Sequence, residues 1–179
     1  MRILITGGAK NGKSTLAEKY ACEMAEETGL PLYYVATMIP YDEEDWARIE
    51  RHKKEREGKG FTTLEIPRSV GKMISMMDLE EGVYLVDSTT AILANEMFSG
   101  TTEDEFDLDA GTRVAEDLRA FAERVENVVF VSDGIYSEAE EHFRTIETYR
   151  KALALIDRTL ASVADRVIEV SFGIERDWK

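Results

Sequence analysis

A single cysteine, Cys22, occurs in 179 residues. One thiol forms no intramolecular disulfide, and such usage fits a reducing compartment. Its place among Ala17, Ala21 and Met24 reads as a small packed hydrophobe rather than a reactive group. Positive charge is also scarce: 22 Lys and Arg stand against 36 Asp and Glu, a formal charge of −14. Nucleic acid is thereby excluded as the expected main partner, because phosphate backbones select basic surfaces. No apolar run approaches the roughly 20 residues of a membrane-spanning helix. The apolar start is too short for a secretory leader and runs straight into a glycine-rich loop, so a cytoplasmic location is expected. Internal repeats, low-complexity tracts and linkers are lacking too, and the length suits one domain over residues 1–179.

What is present begins with Gly7-Gly8-Ala9-Lys10-Asn11-Gly12-Lys13-Ser14, which matches the phosphate-loop pattern G-x-x-x-x-G-K-[ST]. Arg2 to Thr6 reads as a short buried strand, and Thr15 onward as a helix. Glycines at such a bend let backbone N–H groups turn inward around phosphate oxygens at a helix N-terminus. Lys13 can then reach the β- and γ-phosphates, and the Ser14 hydroxyl can ligate Mg²⁺. Lys10 and Lys13 concentrate positive charge locally in an acidic chain.

Strand and helix signals alternate from there on, the pattern of a parallel sheet with crossover helices. Leu16, Tyr20 and Met24 recur at helical spacing until Thr28-Gly29-Leu30-Pro31. Leu32–Ala36 is an expected strand, and a charged helix is expected from about Glu43 to Glu57, with Trp46 and Ile49 as its apolar contacts. Phe61–Ile66 reads as extended. Pro67 is expected to open a helix whose methionines, Met73 and Met77, fill core. Val83–Asp87 is a strand and Thr89–Phe98 a helix. Ser99–Asp109 is an acidic, mobile loop, and a helix runs from about Leu108 to Val125. The strand Val128–Val131, a long helix from Ser137 to about Ala164, and the strand Arg166–Ser171 complete the chain. The expected fold is a three-layer α/β domain of the P-loop NTPase type. Its sheet is mostly parallel and flanked by helices, with room for one antiparallel edge strand.

Two further stretches carry chemistry. Asp87 follows four apolar residues, and a carboxylate ending a parallel strand faces the same crevice as the phosphate loop. There it can hold Mg²⁺ opposite Ser14; the alternative is a cap for the helix near Thr89. In the second stretch, His52 lies amid Arg48, Arg51, Lys53 and Arg56. A neutral imidazole beside such cations could attack the α-phosphate of a nucleotide, giving a phosphoramidate. The same run also reads as a solvated charged helix. His142, beside Glu140 and Glu141, reads as a surface residue.

Several segments recur in one order: Ile3 to Ser14, Tyr34-Val35-Ala36-Thr37, Ala47-Arg48-Ile49 with His52-Lys53, and Thr63 with Glu65. Val86-Asp87-Ser88-Thr89-Thr90 with Asn95 follows, then Ala161, Ala164-Asp165, Val167, Val170 and Gly173. In these the chain resembles the bifunctional adenosylcobinamide kinase / adenosylcobinamide-phosphate guanylyltransferase family of cobalamin biosynthesis. The resemblance runs end to end and is strongest over roughly the first ninety residues. It implies phosphorylation of adenosylcobinamide by GTP or ATP, then GMP transfer from GTP through a guanylylated histidine. By position, Gly7, Gly8, Ala9, Lys10, Asn11, Gly12, Lys13 and Ser14 would hold triphosphate, with Lys13 catalytic. Ala36, Thr37 and Met38 would line the nucleotide site, and His52 would accept GMP. Lys53, Lys54 and Glu55 would border the nucleotide, Glu65 and Asp87 would contact nucleotide or metal, and Ser14 and Asp87 would hold Mg²⁺. The resemblance also implies a homo-oligomer, a trimer in relatives.

The chain departs from the family at three places. Some relatives carry two adjacent histidines where Arg51-His52 stands, and a guanidinium is no nucleophile. Many place an Asn-Glu-Val-Gly-type loop where this chain has Ser132-Asp133-Gly134-Ile135-Tyr136-Ser137. An Arg-Asp and a later Asn of relatives are replaced by Arg150-Lys151 and Asp157. Two other functions therefore stay open: a P-loop kinase for another small alcohol, without guanylyl transfer, and a nucleotide-binding regulatory module.

Overall fold

The computed structural model describes residues 1–79, 81–99, 106–134 and 144–179. Seven strands form one sheet: β1 (Arg2–Gly7), β2 (Leu32–Ala36), β3 (Thr62–Glu65), β4 (Val83–Asp87), β5 (Asn127–Asp133), β6 (Arg166–Ser171) and β7 (Ile174–Asp177). Their order is β3-β2-β4-β5-β1-β6-β7. Pairing is parallel throughout except between β6 and β7. The six helices described are α1 (Lys13–Thr28), α2 (Glu43–Arg56), α3 (Val70–Met76), α4 (Thr89–Met97), α5 (Ala110–Arg124) and α6 (Arg144–Val163).

Alternation along the strands divides the core in two, since successive side chains point to opposite faces. Ile3 and Ile5 of β1 join Leu16, Ala17, Ala21 and Met24 of α1 on one face. Leu4 points the other way, into a larger cluster with Val70, Leu93, Leu118, Phe121 and Ile156 from α3 to α6. One helix thus covers one face and four cover the other. Cys22 packs against the α1 cluster, as a small hydrophobe should, and burial pushes its thiol pKa up.

Parallel pairing places the carboxyl ends of six strands, β1 to β6, along one rim. Glu65 pairs with Ala36, Ala36 with Asp87, Asp87 with Val131, and Asp133 with Gly7. Open parallel sheets bind ligands outside this rim.

Four expectations need correction. The helix after Pro67 starts only at Val70, behind a left-handed Ser69. Met77 is 44% exposed and Met76 72%, so the α3 stripe buries Val70 and Ile74 while its last methionines reach solvent. Trp46 is 56% exposed, and the single buried residue of α2 is Arg56. Strand β7 lacks an apolar pattern, yet it pairs antiparallel with β6 through a two-residue turn, Phe172-Gly173, both with positive φ. The acidic loop at 99–109 and the helix expected from Ser137, with His142, fall largely outside the described residues. Of that helix, Arg144–Val163 is described.

Candidate active site

The bend between β1 and α1 is shaped by two glycines. Gly7 has φ +151, and a Cβ there would run into the Val170 carbonyl of the neighbouring strand. Gly12 caps α1 in the left-handed region at φ +89 without a side-chain cap, so the first-turn amides have no partner from that residue's side chain. Such a terminus favours an anion. Lys13 is buried, at 5% exposure. Its ammonium donates to the Gly8 carbonyl at 2.7 Å and lies 2.9 Å from Asp133 Oδ1. A buried ammonium needs partners of this kind.

Asp87 ends β4, and its Oδ2 accepts from the Tyr34 hydroxyl at 3.0 Å. Burial first, then the Asp87 charge, raises the Tyr34 pKa well above its ordinary value. The Arg56 guanidinium lies 3.3 Å from the Tyr34 ring centroid, a cation–π stack that ties the end of α2 to the sheet. Ser88, rather than Asp87, caps α4: its Oγ accepts from Ala91 N–H at 3.3 Å. This leaves the Asp87 carboxylate to the rim. Thr37 Oγ1 donates to the Ser88 carbonyl at 3.0 Å and accepts from Ser88 N–H at 2.7 Å. Asn95 Nδ2 donates to the carbonyls of Thr37 and Pro67 at 2.8 and 2.9 Å, joining the segments that follow β2 and β3.

Two cavities open over the rim. One, about 400 Å³, runs from Ala9–Thr15 to Glu44, Arg48, Arg51, His52 and Glu55 of α2, with Asp87 and Asp133 at its floor. The other, about 340 Å³, lies between α2 and the ends of β2 and β3, lined by Ala36, Thr37, Met38, Trp46, Lys53, Arg56 and Glu65. Arg48, His52, Asp87 and Ser88 line both. The basic run of α2 is therefore divided between two chambers, with His52 on their common wall.

Most residues singled out from the sequence meet here. Gly7 and Gly8 shape the base of the loop and are not among the residues lining these two cavities, and Lys54 lines a separate cleft with Gly58 and Phe61. Asp133, Tyr34 and Arg56 were not among the candidate site residues. Asp133 carries a weaker form of the strand-end signal that singled out Asp87: a carboxylate one residue past the apolar run Val128–Val131, after Ser132.

Ser14 and Asp87 offer hard oxygen donors to the larger cavity, the chemistry Mg²⁺ prefers. Among the described residues, no group of three or more His, Cys, Asp or Glu could hold a metal by itself. A cation here would complete its shell with phosphate oxygens and water, as Mg²⁺ commonly does at nucleotide sites. The donor set fits that ion.

The sequence model of one family, described as cobinamide kinase / cobinamide phosphate guanyltransferase, matches residues 3–177. The chain belongs to this family. It is accordingly a transferase. It is similar to the bifunctional adenosylcobalamin biosynthesis protein CobU of Salmonella typhimurium, 29% identical over 97% of each chain. To the bifunctional protein CobP of Pseudomonas aeruginosa it is 38% identical over 53% of this chain and 52% of that one. Among solved structures, the ATPase domain of G40P superposes with TM-score 0.52 at 12% identity, covering 94% of this chain and 68% of its own. The flagellar accessory protein FlaH from Methanocaldococcus jannaschii does so with TM-score 0.51 at 14% identity, covering 99% and 77%. These two likenesses bear out the expected P-loop NTPase fold. No helix among the described residues is long and apolar enough to cross a membrane.

Proposed function

We propose that the protein phosphorylates adenosylcobinamide with a nucleoside triphosphate, then transfers GMP from GTP to the product through His52. The observation that carries this reading is the position of His52, on a wall shared by the phosphate-loop cavity and its neighbour. In the first reaction the loop amides and Lys13 hold the β- and γ-phosphates, and the substrate hydroxyl attacks in line. Mg²⁺, held by Ser14 and Asp87 when bound, supplies charge neutralisation at those oxygens.

In the second reaction an imidazole nitrogen of His52 attacks the α-phosphorus of GTP. A P–N bond forms, and the bond to pyrophosphate breaks. A phosphate oxygen of cobinamide phosphate then displaces His52, restoring the imidazole. Arg51 cannot be the nucleophile, but it lines the loop cavity, where its charge suits a triphosphate. Arg48 reaches both chambers and can serve either step.

Incubation with α-labelled GTP and Mg²⁺ should leave acid-labile, base-stable label on the protein, and His52→Asn should abolish it. Phosphorylation of cobinamide should persist in His52→Asn and fall at least about 100-fold in Lys13→Ala, which removes a positioned cation. An unlabelled wild type that still phosphorylates cobinamide would remove the guanylyl-transfer half.

A further inference from the structure

Asp133 is assigned no role in the two reactions above, yet it occupies a central place. Strand β5 lies between β1 and β4, so its carboxyl end falls between the phosphate loop and Asp87. The register sets Asp133 beside Gly7, two residues beyond the level of Asp87 and its partner Val131. Its backbone is pinned on both sides. Asp133 N–H donates to Thr90 Oγ1 at 3.0 Å, and Gly134 N–H donates to the Gly7 carbonyl at 2.9 Å. Its side chain stays 28% exposed and lines the loop cavity, with Oδ1 2.9 Å from Lys13 Nζ.

That contact has a consequence. Lys13 has to serve the phosphates, whose oxygens compete with Asp133 for the same ammonium. Once a triphosphate draws Lys13 away, Asp133 faces a second anion. A carboxylate there is best matched by a neutral hydrogen-bond donor. A hydroxyl about to attack the γ-phosphorus is such a donor.

We propose that Asp133 is the general base of phosphoryl transfer, accepting the hydrogen bond of the attacking hydroxyl and then its proton. The new O–P bond forms while the bond from the γ-phosphorus to the β,γ-bridging oxygen breaks. The nucleoside diphosphate leaves with that electron pair, and the proton passes from Asp133 to solvent. The inference rests on the kinase half of the function proposed above.

Asp133→Asn keeps the shape and removes the basic oxygen. Its kcat for cobinamide phosphorylation should fall by about 100-fold or more, the contribution of a positioned base. The KM for nucleotide should move by less than about threefold, the mark of an interaction made in the transition state. Labelling of His52 from α-labelled GTP should persist, since that step moves no hydroxyl proton. Added formate should restore turnover to Asp133→Ala, which a merely structural role would not allow. A loss below about fivefold in Asp133→Asn overturns the assignment, being far short of base catalysis. So does a joint loss of kcat and nucleotide affinity without rescue, which would leave Asp133 only seating Lys13. Basal hydrolysis of the triphosphate, with water as acceptor, is measured alongside. A wild type inactive on cobinamide then sinks the kinase reading, while the Asp133→Asn effect on water attack still decides the role of this carboxylate.

Discussion

The phosphate loop grows out of β1, where Ile3 and Ile5 are fully buried, whereas α2 buries only Arg56 in fourteen residues. These are the two walls of the larger cavity. The loop wall is fixed by flanking strands, by Gly7 against Val170, and by Lys13 held between Gly8 and Asp133. The α2 wall is anchored at its ends: Asp42 caps its start, accepting from Asp45 N–H at 2.8 Å, and Arg56 stacks on Tyr34 at its close. Segments with few buried contacts open at low free-energy cost. A site with one unyielding wall and one lightly held wall suits two reactions at different phosphorus atoms. On the function proposed above, the rigid side would hold the triphosphate, and the side bearing His52 would shift between them.

The strongest way to break this contrast is at Gly7. Alanine there would require φ +151 and would push its methyl into the Val170 carbonyl. Strain of that kind, added to overpacking between two central strands, should cost about 3 kcal/mol or more. Urea unfolding measures it directly. A loss below about 1 kcal/mol would mean that the strand end can shift, and the first wall would not be rigid.

Arg56→Ala should have a smaller and more local effect. It removes a buried guanidinium stacked on Tyr34, a contact of about 0.5–2 kcal/mol. Among the described residues, Arg56 Nη1 has no hydrogen-bond partner, so part of that loss is offset by relief of an unsatisfied donor. Hydrogen exchange should speed up along α2 and remain unchanged in β1 and α1. Even loss of protection across all three would show that α2 is not an independent wall.

The two walls were also unequally legible in the sequence. Gly7 to Ser14, the apolar strands and Asp87 are local signals: a glycine pattern, a buried run, a carboxylate where the run stops. His52 stood out as an imidazole among cations on a polar helix. The ion pair of Lys13 with Asp133 could not be read in the same way, because it depends on β5 being inserted between β1 and β4. The burial of Arg56 was equally hidden. A charged helix gives no sign of which cation will meet an aromatic ring on the strand before it. Strand β7 was missed because Ile-Glu-Arg-Asp has no apolar alternation. Its pairing comes from a turn with two positive φ angles, one of them at Phe172, a residue that does not favour it.

The finest test of the contrast is Trp46→Ala. A tryptophan truncated in a packed core costs about 3–5 kcal/mol. Trp46 is 56% exposed, and it lines the smaller cavity. Global stability should therefore change by no more than about 0.5 kcal/mol, as for surface substitutions away from special features. A loss above about 1 kcal/mol in urea unfolding would place α2 firmly against the core. His52 would then sit on a wall as fixed as the phosphate loop, and movement of α2 could not be what lets one histidine and one loop serve two reactions.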